Sequence, residues 1–451
     1  MKDFTEGKEA GLILRFSVPL IIGNIVQNLY HIVDSIIVGN FLGKEALGAV
    51  GASHPIIFAL ISLVIGVGSG ASTVVAQYFG AKQTKQVRHT IDTIFIFFLA
   101  ASVLISLAGI SLSKEIFRLL RLPEEMMGKA VTYLTVYLLG NFFFFGFTGI
   151  TSILKGLGDS RTPLHFMLFS ALMNVALDLL FVLVFRWGIA GVAFATVLAE
   201  ALAFLQAVWY LNKKHPVIKL SFRKYRFDRD IFRHCIRIGL PTGFQQSFVA
   251  IGMMAIMGVI NSFGTNAVAA YTAALRIDSF VKTPAMTFSS ALASFVGQNL
   301  GASREDRAKR GLRITIFLSL CYALLVTVLI ILFGQQLIRL FTSDPQVVAI
   351  GQDYLLIVSS FYLIFALMFA FTGFLRGAGA TLFPMLTSLF SLYLLRIPLA
   401  FHLSGIIGVN GIWWSEPLGW LAGMFILLGY YFSGKWQGKT VVRTDSPGKQ
   451  N

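Results

Sequence analysis

Twelve apolar runs, each long enough to cross a bilayer as a helix, follow one another along this chain and leave few other ways for it to fold. They lie at about 13–39, 46–78, 90–113, 128–154, 163–185, 188–211, 232–261, 267–299, 311–334, 347–375, 382–404 and 408–433. A run of more than ~18 apolar residues reads as a membrane-spanning helix. No long polar stretch and no low-complexity tract separates them, so there is little room for a soluble catalytic domain. Hydrophobic residues make up 56% of the 451 and charged residues 13%. With a mean hydropathy of +0.75, that excludes an ordinary soluble protein and a disordered chain alike.

The formal net charge of +16 would suit a nucleic-acid partner if it were clustered on one surface. Instead, most Lys and Arg fall in alternate loops, on the side that holds the N-terminus, which is the positive-inside pattern. Both termini are therefore expected in the cytoplasm of a cell that carries the protein in its plasma or inner membrane. The basic surplus then meets anionic lipid headgroups and not nucleic acid. Residues 1–10 carry charges and no apolar core, so no cleavable leader is expected. Cys235 and Cys321 are isolated, without metal spacing or a disulfide framework, and read as packing thiols.

The segments on either side of the most polar interval, 212–237, match each other at an almost constant shift of 221. Arg15-x-x-x-Pro19 answers to Arg237-x-x-x-Pro241 at 222, Gly43 with Ala46 to Gly264 with Ala267, and Gln77-x-x-Gly80-Ala81 to Gln298-x-x-Gly301-Ala302. Lys155-Gly156-x-Gly158 answers to Arg376-Gly377-x-Gly379, and Pro163 to Pro384. Six helices separate the copies, so both begin on the same side of the membrane as a parallel duplication. The expected fold is an all-α polytopic membrane protein of twelve transmembrane helices in two pseudo-symmetric six-helix bundles facing a central cleft. Its parts are a bundle at 1–211, a cytoplasmic connector at 212–231, a bundle at 232–434 and a cytoplasmic tail at 435–451. A self-contained duplicated fold of this kind is adequate as a monomer.

Such a build points to a carrier that exposes one cleft to each side in turn. The glycines of 155–159 and 376–380 read as turn formers, and no Gly-x-x-x-x-Gly-Lys-Ser/Thr run is present, so ATP does not drive the cycle directly. No His-Glu-x-x-His or paired-His pattern suggests an intramembrane enzyme, and no filter-like segment suggests a channel.

An acid inside a membrane helix costs several kcal/mol and is a functional-site hypothesis by default. Asp34, in Tyr30-His31-Ile32-Val33-Asp34, lies about five residues, roughly 8 Å, below one membrane face. Asp178 lies ~10 Å below that face, one helical turn from Asn174, and Thr196 lies ~12 Å deep on the next helix. Asp34, Asn174, Asp178 and Thr196 thus form an all-oxygen set suited to a hard monovalent cation such as Na+, or to one shared proton. At the shift of 221, Asp34 falls on Ala255 and Asp178 on Leu399, so the second copy lacks this set. It has Arg276, Asp278 and Lys282 instead, where the first copy has Pro55, Ile57 and Ile61. Asp278 and Lys282, four apart, either neutralise each other or line the cleft as substrate contacts or a gate. Tyr30, Gln245 and Gln246 are further cleft candidates, and Arg396 is expected to bond carbonyls or an acid inside its bundle.

These residues assembled, the chain resembles the multidrug and toxic compound extrusion (MATE) family over nearly its whole length. The likeness rests on Tyr30 to Asp34, Val38-Gly39, Gly43, Ala46-Leu47, Ala49-Val50-Gly51 and Ala76-Gln77-x-x-Gly80-Ala81. The second copy adds Ala269-Ala270-Tyr271, Arg276-Ile277-Asp278 and Gln298-Asn299-x-Gly301-Ala302. The resemblance implies an antiporter that exports cationic or amphipathic organic compounds in exchange for Na+ or H+, with no other cofactor. It carries the family's first-lobe cation site onto Asp34, Asn174, Asp178 and Thr196, and its first-helix hinge onto Pro19. Members often have Asn where His31 stands. NorM-like members also carry acids in the seventh and tenth helices, whereas 238–261 and 350–375 hold only Asp353 near an end, so the similarity leans to the DinF-like branch. The nearest alternative is a flippase for lipids or lipid-linked oligosaccharides of the same superfamily, for which Arg276 and Lys282 offer meagre charge.

Overall fold

The computed structural model describes residues 3–120, 122–214 and 226–442, and every regular element among them is helical. In chain order these are α1 (Glu9–Leu42), α2 (Lys44–Gly80), α3 (Thr84–Leu119), α4 (Glu124–Leu139), α5 (Asn141–Gly156), α6 (Arg161–Leu179) and α7 (Gly188–Lys214). Then come α8 (Arg229–Asn261), α9 (Thr265–Gly301), α10 (Glu305–Arg339), α11 (Pro345–Ser359), α12 (Tyr362–Gly377), α13 (Leu382–Leu389), α14 (Ile397–Ile407) and α15 (Val409–Phe432). Two π-helical turns, Leu180–Val184 and Phe390–Arg396, continue α6 and join α13 to α14. The apolar-run analysis has no signal for these turns, because widening a helix by one residue leaves its hydropathy unchanged.

All twelve runs lie in helix. Eight helices among the described residues are long and apolar enough to cross a membrane, and two bent pairs raise this to ten. The helices α9, with Arg276, Asp278 and Lys282, and α15, with Glu416, fall outside that apolar class.

The fourth and tenth runs are not single helices, as the sequence suggests, but pairs bent by 51°: α4 with α5, and α11 with α12. A break inside a bilayer frees backbone carbonyls that lipid cannot satisfy, so they need partners from within the protein. Both breaks find the same one. Ser106 Oγ on α3 donates to the Leu138 carbonyl at 2.5 Å, and Thr327 Oγ1 on α10 donates to the Ser359 carbonyl at 2.8 Å. Each pair stands 221 residues from the other, so the duplication extends to the hydrogen bond that stabilises the kink.

By contact, the described residues fall into two units. One takes those of Val18–Gly243, and the other joins Asp3–Ser17 to those of Phe244–Asn451. The division therefore falls inside α1 and α8, beside Pro19 and Pro241, and not at the 212–231 connector. Of that connector, 215–225 lie outside the described residues, as do 443–451 of the tail.

In the second unit the start of the chain is strapped to α9 and α10. The Phe4 amide donates to Gln298 Oε1 at 2.8 Å, Asn299 Nδ2 to the Phe4 carbonyl at 3.1 Å, and Arg307 and Arg310 pair with Glu9 at 3.1 and 3.0 Å. In the first unit α8 lies backbone to backbone on α2. A Cβ on Gly66 would meet Gly243 N at 2.3 Å, and one on Gly239 would meet Val67 Cα at 2.5 Å. Small residues spaced by four on both helices permit this approach. Gly158 and Gly379, at φ +75° and +85°, turn the chain after α5 and α12 as expected of turn formers.

Because the atoms facing Gly239 are backbone, a methyl there has no side chain to push aside. Gly239→Ala is expected to lower stability by about 1–3 kcal/mol. Gly258→Ala on the same helix, with nothing within 4 Å of the new Cβ, should be near neutral. Thermal unfolding of the two variants in detergent makes the comparison, and equal melting temperatures would contradict the packing account.

Candidate functional site

Asp34 is on the C-terminal half of α1, Asn174 and Asp178 are one turn apart at the end of α6, and Thr196 is on α7. All belong to the first unit. Their relative exposures are 4% for Asp34, 2% for Asn174, 0% for Asp178 and 9% for Thr196. Asn174 Nδ2 donates to Thr196 Oγ1 at 3.3 Å, and Thr196 Oγ1 donates back to the Val192 carbonyl at 3.2 Å. With its amide nitrogen so used, Asn174 presents Oδ1 as an acceptor. That oxygen, Asp34 Oδ1 and both Asp178 carboxylate oxygens are buried with no donor from the protein.

Asp34 and Asp178 interact side chain to side chain. Two carboxylates cannot do so stably in a low-dielectric setting while both are charged and unbridged. One shared proton, a bound monovalent cation, or both relieve the repulsion. Buried acceptors with no donor are the feature expected of an ion site. The oxygen set thus fits the hard cation inferred from depth.

Sequence reasoning missed a third acid. Glu200 is half-buried on α7, one turn beyond Thr196 and on its face. Its i, i+4 spacing from Thr196 was the available signal. Among the described residues no group of three or more acid, His or Cys side chains is arranged to hold a metal ion. The rings of Tyr30 and His31 lie tilted against each other at 4.1 Å, and His31 meets His54 edge-on at 5.9 Å.

The second unit has its own buried polar cluster. Lys282 Nζ lies 2.5 Å from Asp278 Oδ2 and 2.8 Å from Glu416 Oε1, while Arg396 donates to Glu416 Oε2 at 2.8 Å. Tyr362 donates to Asp278 Oδ1 at 2.7 Å, and Tyr354 stands 3.3 Å from Asp278 Oδ2 and 3.4 Å from Glu416 Oε2. Trp413, stacked on Tyr271 at 5.4 Å and edge-on to Tyr354 at 5.1 Å, seals one side. Two anions and two cations make the cluster formally neutral. Glu416, the acid that Arg396 finds, had no part in the sequence reading, although any carboxylate inside the twelfth apolar run is a signal by cost alone.

The other candidates do not join either cluster. Arg276 is exposed, Gln245 donates to Ser388 Oγ at 2.5 Å, and Gln246 is half-buried. Pro19 is buried inside an unbroken α1, next to the point where that helix passes from one unit to the other.

The profile of the MatE family matches residues 19–180 and again 241–402. The chain belongs to the MatE family. It is 35% identical over 436 residues to the probable multidrug resistance protein YpnP of Bacillus subtilis (strain 168), covering 96% of this chain and 97% of that one. It is 27% identical over 443 residues to the probable multidrug resistance protein NorM of Thermotoga maritima, covering 95% and 94%. A solved outward-facing multidrug resistance MATE family transporter of the MOP superfamily superposes with a TM-score of 0.90 at 25% identity, covering 97% of this chain and 99% of that one. The MatE chain is thus a multi-pass membrane transporter related to multidrug efflux proteins. The two matched segments stand 222 apart at both ends, in keeping with the duplication.

In this MatE chain the second-unit charges are more than decoration. Arg396→Met strips Glu416 of one of its two cationic partners in a buried setting, and such a break costs about 3–5 kcal/mol. Arg276→Met, at an exposed position, should change stability by less than about 0.5 kcal/mol. Denaturation of both variants in detergent tests this, and an Arg396→Met protein as stable as wild type would contradict the cluster's ion pairing.

Proposed function

We propose that this MatE chain is a secondary antiporter that exports cationic or amphipathic organic compounds across the cell membrane, in exchange for Na+ or H+ taken at Asp34, Asn174, Asp178 and Thr196. One observation carries the reading: four buried acceptor oxygens, on two helices of one unit, without a protein donor. The two efflux relatives support the substrate class, and nothing in their names favours the flippase alternative.

The twelve helical runs are the twelve spans, with both termini on the cytoplasmic side and the monomer as the working unit. The second copy has no acid in 238–261, which keeps the DinF-like reading of the sub-branch. Substrate contacts are assigned to Tyr30, Gln245, Gln246 and Arg276, none of which is fully buried. Bending of α1 at Pro19, where it leaves one unit for the other, is the hinge. Cation and substrate then need only a negative coupling energy, on the order of 1–3 kcal/mol, and it must be reciprocal.

The test is purified protein in liposomes loaded with ethidium, with a sodium gradient and a pH gradient imposed separately. Transport is expected under one of them, and Asp34→Asn is expected to abolish it while the protein still inserts. Gradient-driven efflux by Asp34→Asn at the wild-type rate would sink the assignment.

A further inference from the structure

The two polar clusters share two positions of the repeat. The helices α7 and α15 both start at a glycine of positive φ, Gly188 at +61° and Gly408 at +64°, and each has a second glycine three residues on, Gly191 and Gly411. Aligned on these glycines, at a shift of 220, Thr196 falls on Glu416 and Glu200 on Trp420. On the facing helix the shift of 222 places Arg396 at Asn174. The same bond is then made twice: Asn174 Nδ2 to Thr196 Oγ1 at 3.3 Å, and Arg396 to Glu416 Oε2 at 2.8 Å.

The charge balance also repeats. In the first unit two carboxylates sharing one proton leave a single negative charge for a monovalent cation. In the second, Asp278 and Glu416 offset by Arg396 leave a single negative charge too, and the group that answers it is Lys282. Its ammonium has three protons to place. Asp278 and Glu416 take two, at 2.5 and 2.8 Å, and the face of Trp420 lies 4.6 Å from Nζ, with Phe365 at 5.5 Å. Two carboxylates and aromatic faces around one nitrogen make an ammonium-binding pocket. Lys282 enters it on a flexible four-carbon stem, with 13% of its side chain exposed, the most of the four charged residues.

We propose that the Lys282 ammonium is the second unit's resident cation, a tethered ligand filling a monovalent-cation pocket that shares two repeat positions with the proposed ion site of the first unit. The inference rests on the antiport reading only for the ion of the first unit; the pocket is defined by its own geometry. Its ligand class is a small primary ammonium or an alkali cation.

Chemical rescue tests it on the full-length protein in detergent, without any gradient. Lys282→Ala removes three methylenes and the ammonium, and propylammonium is the missing piece. Lys282→Ala is expected to melt below wild type and to recover with a saturable rise as propylammonium chloride is added. Choline chloride and propanol should not reproduce the rise, nor should it occur in wild type or in Lys282→Ala/Glu416→Gln. A folded Lys282→Ala protein that shows no saturable rise beyond the choline control overturns the proposal. If the alanine variant yields no folded protein, Lys282→Met, which keeps the stem, is expected to bind one more 22Na+ per chain than wild type, and equal stoichiometry overturns it. Failure of the antiport reading would show itself separately, as Asp34→Asn transporting normally with Lys282 intact.

Discussion

A bilayer interior offers a polar group nothing to bond to, so every backbone carbonyl and every charge inside it must be answered by the protein itself. Most of this structure follows from that demand. It forces every regular element of the described chain into helix. Where helices break, between α4 and α5 and between α11 and α12, it calls for Ser106 and Thr327 to take up the Leu138 and Ser359 carbonyls. It also explains why the charges that do enter the apolar runs are gathered into clusters, while Arg276, at an exposed position, joins neither.

The two units answer the same electrostatic problem differently. Each buries two carboxylates whose joint charge the surroundings cannot screen. The second unit supplies its counter-charges covalently, as Arg396 and Lys282, and satisfies the remaining carboxylate lone pairs with Tyr354 and Tyr362. The first unit supplies an amide and a hydroxyl, and Asp34 Oδ1 and both Asp178 oxygens find no donor among the described residues. Under the proposed antiport, specialisation after duplication is a choice between fixed and exchangeable positive charge.

Much of this was legible in the sequence, and the failures have physical causes. Hydropathy runs mark helices because burial in lipid demands apolar length, and depth counted at 1.5 Å per residue brought Asp34, Asn174, Asp178 and Thr196 together before any coordinates. Breaks and π turns are invisible to the same count, since bending a helix at Gly140 or widening it at Phe390–Arg396 leaves composition unchanged. The π turn had a further effect. A uniform shift of 221 paired Asp178 with Leu399 and set Asn174 one residue short of Arg396, so the second copy looked stripped of its site when it had exchanged it. Glu416 and Glu200 each carried a signal, the cost of a single acid in a long apolar run and, for Glu200, its i, i+4 spacing from Thr196. The exchange of helix halves between units, at Ser17 and Gly243, has no sequence signal beyond the prolines beside it.

The asymmetry bears on how a gradient can drive such a protein. A ligand shifts a conformational equilibrium only by its differential affinity for the two states, and a bound group that never exchanges with solvent contributes no dependence on concentration. Lys282 is tethered, so whatever it stabilises in the second unit is the same at every sodium concentration, and the neutral cluster around it can act as a rigid body. Under the proposed antiport, all sensitivity to the ion then enters through the first unit, where the countercharge is free to leave. In that reading one exchangeable site in a duplicated fold gives a single ion one point of leverage, and the second copy's own carboxylates, Asp278 and Glu416, do not compete for it.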